Sequence, residues 1–332
     1  MENKTNEKNQ SFFYPSFFPK TRQGFLELSF AWIFALVVGG FILFLSIYIA
    51  IKFSESGGAL QDVMVSKELG VLTSPLESGF EESQTIKIEL AKNTRIGNRC
   101  ENEETFGRQV IGVNEETFGK WSANGSEAGF LNKYIFSENY TEGKNFYIFS
   151  SQFMFPFKVA DLMVLMSTEK IYCFIDAPQE VQDKMFYLKL KNVLNKSSSS
   201  QCPPESLKVC YSGNCDIRIM RNVGSESGQV AKKGKTPVTY DGEALMYAAI
   251  FSDPGIYECQ LKRLMQRTKQ LAYLYNQKAA FVSRYECNSN IQLAPLINSA
   301  DSFEKSQNIL SMAHIVNDIK MANDGNGVCR LW

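Results

Sequence analysis

The chain contains one uninterrupted run of 24 uncharged residues, from Leu28 to Ile51. As a helix this run extends about 36 Å, more than the roughly 30 Å hydrocarbon core of a bilayer. A cleaved secretory signal has a shorter apolar region, of about 7–15 residues, followed by a small-residue cleavage site. The residues after Ile51 offer no such site. The sequence therefore predicts a retained transmembrane helix over residues 25–53.

Charges on either side of this run predict its orientation. Lys20 and Arg22 precede it closely, whereas residues 52–86 carry more acidic than basic side chains. Basic residues favour the cytoplasmic side. We therefore expect a single-pass protein of the cytoplasmic membrane, with a cytoplasmic tail over residues 1–24, the lipid bilayer as one partner and the C-terminal body outside the cytoplasm.

All the cysteines lie beyond the apolar run, which agrees with an exported, oxidised body. An even number of cysteines in such a domain favours disulfides, although the pairing cannot be deduced from sequence. A zinc site is the alternative, but the spacings lack the two-residue knuckle typical of zinc ribbons. We expect no metal and no cofactor. The disulfide candidates are Cys100, Cys173, Cys202, Cys210, Cys215, Cys259, Cys287 and Cys329.

Composition excludes several function classes. Lys and Arg number 35, as do Asp and Glu, so the chain has no basic excess for neutralising nucleic-acid phosphates. His314 is the single histidine, so a Ser-His-Asp or Cys-His mechanism would have to use it. Its helical context predicts a position at the edge of an amphipathic face. We therefore expect no nucleic-acid partner and lean against an enzyme.

The stretch from Gln23 to Phe34, QGFLELSFAWIF, resembles the start of archaeal type IV pilin-like proteins. In that family a peptidase cuts before the Gln, and a Glu four residues later sets the register between subunits. The resemblance implies that Gln23 becomes the new N-terminus and that Glu27 is the register residue. The family usually has Gly or Ala before the cut, where this chain has Arg22. A simple signal anchor is the alternative.

The whole chain also resembles a group of archaeal single-span membrane proteins of unknown activity. The segments that carry this resemblance are SFAWIFALVVGGFILFLSIYIAIKF, EALMYAAIFSDPGIYECQLKRLM and the C-terminal CRLW. It implies a membrane location without a defined biochemical role.

We expect the exported part to be a mixed α/β (α+β) body braced by disulfides. A juxtamembrane helix and linker over residues 54–82 would lead into it. Period-two alternation predicts a β-rich part over residues 83–167, with a hairpin turning at Gly143. Residues 170–220 suggest a β-α-β unit with helical spacing through Val193 and a second hairpin around VCYSGNCDIRIM. Residues 241–325 are predicted to be helical.

Three features of the body could carry chemistry. The repeated NEETFG, at 102–107 and 114–119, offers carboxylates for calcium, but its spacing better fits turns at the two ends of one strand. The basic side chains Lys262, Arg263, Arg267 and Lys269 are expected to be solvated. Asp176 and Asp241 follow predicted strands, where α/β sites tend to form, and are the catalytic candidates for a carboxylate enzyme.

Three functions remain open from the sequence. The first is an extracytoplasmic structural or interaction protein of the cell envelope, with envelope protein partners. The second is a pilin-like filament or secretion-system subunit that self-assembles through its anchor helix. The third is an envelope-facing hydrolase that uses carboxylates.

Overall fold

The computed structural model describes residues 32–51, 85–102, 106–122 and 125–332. The chain divides into two compact units, residues 1–53 and 54–332, which are considered separately below. The predicted cytoplasmic tail and the predicted juxtamembrane helix over 54–82 lie outside the described residues.

The first unit contains helix α1, Trp32–Ile51. Its 20 residues are long enough and apolar enough to cross a membrane, judged by length and composition. Its side chains are exposed among the residues that the structure describes. The apolar helix expected near the N-terminus is therefore present.

The body begins with a seven-stranded sheet in the order β3-β2-β1-β6-β7-β5, with β4 paired to β2. All its pairings are antiparallel except that of β5 with β7. The two long strands β1 and β6 form its centre. The strands are β1 Thr85–Glu101, β2 Arg108–Thr117, β3 Lys120–Trp121, β4 Ser126–Phe130, β5 Ile135–Phe136, β6 Tyr140–Met154 and β7 Lys158–Ser167.

This sheet curls so that its two ends approach each other. The backbone N–H of Ile135, on the last strand, donates to Gln109 Oε1 on β2 at 2.9 Å. Asn98 on β1 donates to the Ile135 carbonyl at 3.0 Å. The curl encloses a small apolar cluster that includes Ile96, Val113 and Ile135. The first sheet therefore has a core of its own on its concave side.

The second sheet has six strands in the order β13-β12-β11-β10-β8-β9. Strands β8 to β11 are parallel neighbours, whereas β12 is antiparallel to β11 and to β13. Strand β13 therefore runs in the same direction as β8 to β11. The strands are β8 Tyr172–Ile175, β9 Val193–Lys196, β10 Leu207–Cys210, β11 Ile217–Arg221, β12 Ser227–Lys232 and β13 Val238–Asp241.

The helices of the body are concentrated in its last third. Helix α3 contacts strands of both sheets, and every residue from Leu245 to Phe251 is buried. A helix that is apolar all round has to be buried on every side, and α3 achieves this between the sheets. The helices are α2 Gln179–Tyr187, α3 Glu243–Phe251, α4 Pro254–Val282, α5 Ala294–Asp301 and α6 Ile309–Gly325.

The predicted hairpin at Gly143 is wrong, because Gly143 lies inside the continuous strand β6. A Cβ at this glycine would stand 2.6 Å from Ser167 Oγ on the neighbouring strand β7. Gly143 also pairs with Thr94, where the register between β1 and β6 shifts. The glycine therefore permits a close approach between two strands, which is a common reason for Gly inside a strand.

The predicted hairpin around VCYSGNCDIRIM is also wrong, because β10 and β11 are parallel. Only two residue pairs connect them, Val209 with Ile217 and Cys210 with Arg218. Parallel strands are usually joined by a long crossover connection, often a helix. Here the strands overlap by only two pairs, so a short loop is enough to bring the chain back to the start of β11. The predicted helical spacing is also wrong at its last position, because Val193 is the first residue of β9.

All eight cysteines are paired at disulfide distance, which confirms the prediction of disulfides. The bridge between Cys287 and Cys329 ties the C-terminus to the end of α4, and the bridge between Cys100 and Cys259 joins β1 to α4. The other two bridges each tie a strand of the second sheet to a connecting segment, and they are Cys173–Cys202 and Cys210–Cys215. The mixed α+β body is therefore braced by disulfides.

The basic face expected to be solvated on α4 is in part buried. Arg263 is only 1% exposed, and its guanidinium donates to the carbonyls of Lys133 and Leu131, each at 2.9 Å, and to Gln260 Oε1 at 2.7 Å. Gln260 in turn bonds to Gln109 on β2. This buried polar network fixes α4 against the curled sheet, because each of these groups would be costly without its partner.

Candidate functional site

The two catalytic candidates do not share a site. Asp176 follows β8 and Asp241 ends β13, so both stand at the carboxyl edge of the second sheet. Four strand spacings separate β8 from β13, which places the two residues about 19 Å apart. The carboxylates of glycosidases stand about 5–9.5 Å apart. Asp176 and Asp241 therefore form no catalytic pair, although the predicted edge of the sheet does contain a cleft.

This cleft, which we call the edge cleft, has a volume of about 940 Å³. It lies where α2, the end of β11, the turn before β12 and the start of α3 meet. Open α/β sheets commonly bind ligands outside the carboxyl ends of their strands. Its charged lining consists of Glu180, Asp183, Lys184, Arg221, Glu226 and Glu243.

Two ion pairs cross the edge cleft. Arg221 Nη1 on β11 lies 2.5 Å from Glu180 Oε1 on α2, and Lys184 Nζ lies 3.8 Å from Glu243 Oε2 on α3. Within the described part of the chain, Asp183 and Glu226 form no ion pair. The lining thus contains four carboxylates against two cations, both of which are already paired. The edge cleft therefore has a negative charge excess.

Buried tyrosines lie beneath these charges. The Tyr240 and Tyr247 side chains are completely buried, and neither hydroxyl makes a hydrogen bond of acceptable geometry among the described residues. Burial raises the pKa of Tyr247, and the Glu243 carboxylate raises it further. Burial also raises the pKa of Tyr240, whereas the nearby Arg221 lowers it. Both tyrosines are therefore neutral hydroxyls that face charged cleft residues.

An unpartnered buried hydroxyl costs about 1–3 kcal/mol, so two of them under one cleft need a reason. The Tyr240 side chain fits because residue 228 is a glycine. A Cβ at Gly228 would stand 2.2 Å from the Met220 carbonyl and 2.7 Å from the Tyr240 hydroxyl. Gly228 therefore provides the space that Tyr240 occupies.

The rim of the edge cleft is apolar. Phe186 and Tyr187, at the end of α2, are 85% and 58% exposed. Val223, in the turn that joins Arg221 to Glu226, is fully exposed. Large apolar side chains that border a polar cleft commonly mark a binding surface. The edge cleft thus combines a charged interior with an apolar rim.

Asp241 has a perturbed environment next to this cleft. Burial raises the pKa of the Asp241 carboxyl, and the charge of Glu226 raises it further. Asp176, in contrast, is exposed at the start of the connection to α2. The surroundings of Asp241 therefore favour a protonated carboxyl.

The remaining predicted site residues lie elsewhere. His314 is exposed on α6. The described parts of the NEETFG repeats lie at the two ends of β2, as the strand interpretation expected. Among the residues described, no group of three or more His, Cys, Asp or Glu side chains could hold a metal. Gln23 and Glu27 lie outside the described residues, so their processing and register roles stay predictions.

Sequence reasoning missed the residues that line the edge cleft. Glu180, Arg221 and Glu243 come from three separate segments, and only the strand order brings them together. A usable signal existed, because each lies shortly after a strand or at the end of one in the second sheet. Comparison with known proteins found no match: no protein-family model, no curated protein and no solved structure matches this chain.

Proposed function

We propose that this protein is a membrane-anchored, extracytoplasmic interaction protein of the cell envelope, and that its body binds a partner in the edge cleft. The observation that supports this most strongly is the cleft itself. It joins unpaired carboxylates, unpartnered buried hydroxyls and an exposed aromatic rim at one edge of a sheet. Pockets with a few convergent polar groups and perturbed titratable residues are typical of binding sites.

The anchor and the extracytoplasmic placement have separate support. Helix α1 is apolar enough to span a bilayer, and basic residues precede it. Four cysteine pairs at disulfide distance favour an oxidising compartment for the body. Protease added to spheroplasts should digest the body of an N-in protein and spare the tail. Protection of the body from that protease would contradict the placement.

Photo-crosslinking in intact cells tests partner binding. A photoreactive phenylalanine analogue at Phe186 places the probe next to Tyr187, which lines the edge cleft. The same analogue at Phe118, a fully exposed residue that follows β2, is a matched control. We expect a discrete adduct from position 186 and none from position 118. No adduct from 186, or the same adduct from both positions, would refute the proposal.

A carboxylate hydrolase is the second candidate, favoured by Asp241 and Glu226. A buried carboxyl whose pKa is raised by burial and by a neighbouring carboxylate suits a general acid. Purified protein would then release new chain ends from envelope glycans or peptides, and Asp241→Asn would abolish the release. Equal release by the variant would exclude this role for Asp241.

The pilin-like alternative depends on Gln23 and Glu27. Sequencing the mature N-terminus distinguishes it from a simple anchor, because processing would leave Gln23 as the first residue. A mature chain that retains Met1 would exclude that processing.

A further inference from the structure

The chemistry of the edge cleft identifies the class of its ligand more narrowly. Both cations in the lining are already engaged, Arg221 by Glu180 and Lys184 by Glu243. An anionic ligand would have to displace one of these carboxylates and would still face Asp183 and Glu226. A cationic ligand meets no such competition. Like charges brought together are unfavourable, and complementary charges determine which partner is accepted.

The lining of the cleft also suits a hydrogen-bond donor. Ionised carboxylates only accept hydrogen bonds, and Asp183 and Glu226 form no ion pair among the described residues. An ammonium or guanidinium group carries several N–H donors and no acceptor, so it can donate to several of these carboxylates at once.

The rim indicates that the ligand extends beyond a single cation. Phe186 and Tyr187 stand on one side of the cleft, and Val223 is on the turn between two lining residues. A small polyamine has no side chains with which to cover these three. A peptide that inserts one basic side chain would lay its neighbouring residues over the rim. Exposed aromatic rings also attract cations directly.

We propose that the edge cleft binds a basic peptide segment of a partner protein, with a Lys or Arg side chain inserted among Asp183, Glu226 and Glu243. This inference rests on the proposed binding function of the same cleft. Phe186, Tyr187 and Val223 contact the apolar residues that flank the inserted side chain.

Binding of defined peptides to the full-length protein in nanodiscs tests the inference. The first probe is a fluorescent peptide with Arg between leucines, and the second is the same peptide with citrulline, a neutral isostere of Arg. We expect the Arg peptide to bind at least tenfold more tightly and to weaken as salt is raised. Equal binding of the two peptides would overturn the cationic specificity.

Matched variants locate the binding in the cleft. Asp183→Asn with Glu226→Gln removes both unpaired carboxylates, and we expect about tenfold weaker binding of the Arg peptide. Asp318→Asn removes an exposed carboxylate on α6 and should leave the affinity unchanged. An equal loss in Asp318→Asn would show a general charge effect and refute the site.

Spermidine is the probe for the class of ligand, because it is cationic but has no side chains with which to cover the rim. Spermidine that competes as well as the Arg peptide would refute the peptide class.

The outcomes also distinguish a failure of this inference from a failure of the proposed binding function. If position 186 cross-links to a partner in cells but the Arg peptide does not bind, the binding function stands and the basic specificity falls. If neither occurs, both fall.

Discussion

At the scale of single residues, Arg263 is a buried cation held by hydrogen bonds. It is the largest fully buried side chain among the described residues, and its guanidinium donates to backbone carbonyls of the segments before β2 and β5 and to Gln260. It also lies over the ring of Tyr134, 4.8 Å from its centroid. Among the described residues it has no carboxylate partner. Its role is to satisfy several acceptors, of which the Lys133 carbonyl and Gln260 Oε1 are buried.

Arg263→Met should therefore destabilise the body strongly. The substitution removes the Arg263 donor from two buried acceptors, the Lys133 carbonyl and Gln260 Oε1. A buried acceptor that loses its donor costs about 1–3 kcal/mol, so we expect a loss of at least about 2 kcal/mol. Urea unfolding of the purified protein measures it. Arg284→Met, at an exposed arginine just after α4, is the control and should change stability by no more than about 0.5 kcal/mol. Similar losses in the two variants would contradict this role.

The pKa of Lys232 predicts a pH dependence of the stability of the fold. Burial lowers the pKa of Lys232 from 10.5 to about 8, although its ammonium also donates to the Ser252 carbonyl. The folded chain therefore binds this proton less tightly than the unfolded chain does. The contribution of Lys232 to stability is unfavourable and constant below pH 8, and the penalty is relieved as pH rises from about 8 to 10.5.

Lys232→Met should abolish that rise. Free energies of unfolding at pH 7.5 and 10.5, compared between wild type and variant, should converge at the higher pH by about 1–3 kcal/mol. Lys233→Met, at the exposed neighbour, should retain the wild-type pH profile. A Lys232 variant whose pH profile equals that of the wild type would contradict the prediction.

At the scale of elements, the C-terminal segment is held by several contacts at once. The Trp332 ring packs against Phe157 and Tyr275, with centroids 5.3 and 5.1 Å away. Asn323 donates to the Trp332 carbonyl at 3.1 Å and accepts from the Leu331 N–H at 2.7 Å. The last two residues thus cover part of the main core.

Deleting Leu331 and Trp332 should cost about 3–5 kcal/mol, because Phe157 and the side of Tyr275 would become exposed. Val328→Ala changes a fully exposed residue in the same segment and should have no measurable effect. Urea unfolding of both variants against the wild type gives the comparison. A loss of the same size in Val328→Ala would mean that stability depends on the segment as a whole rather than on its aromatic end.

The elements also show what sequence patterns could reveal. Alternation identified β1, and apolar spacing identified α4 and α6, because each pattern reports one local surface. Gly143 was misread because a glycine that permits close strand approach looks the same as one that forms a turn. Asp176 and Asp241 both lie at the carboxyl edge of the second sheet, and a catalytic role for either stays a prediction. The charged lining was missed because Glu180 and Arg221 become neighbours only through strand order, which no local pattern encodes.

At the scale of the whole molecule, the four cysteine pairs make a prediction about oxidation state. Every cysteine is paired, so denatured but unreduced protein should take up no alkylating reagent. After reduction the same protein should take up eight groups. Intact mass spectrometry of protein purified from membranes counts them. Protein that is alkylated without reduction would show that the body does not mature in an oxidising compartment.

The bridge between Cys100 and Cys259 spans 159 residues and encloses almost all of both sheets beyond β1. A protease that cuts one peptide bond anywhere between those cysteines severs the chain without releasing a fragment. Nicked molecules would run as a single intact species on a gel without reductant and fall into two pieces when a thiol is added. The body would thus remain attached to the N-terminal apolar helix after damage that would shed an unbridged domain.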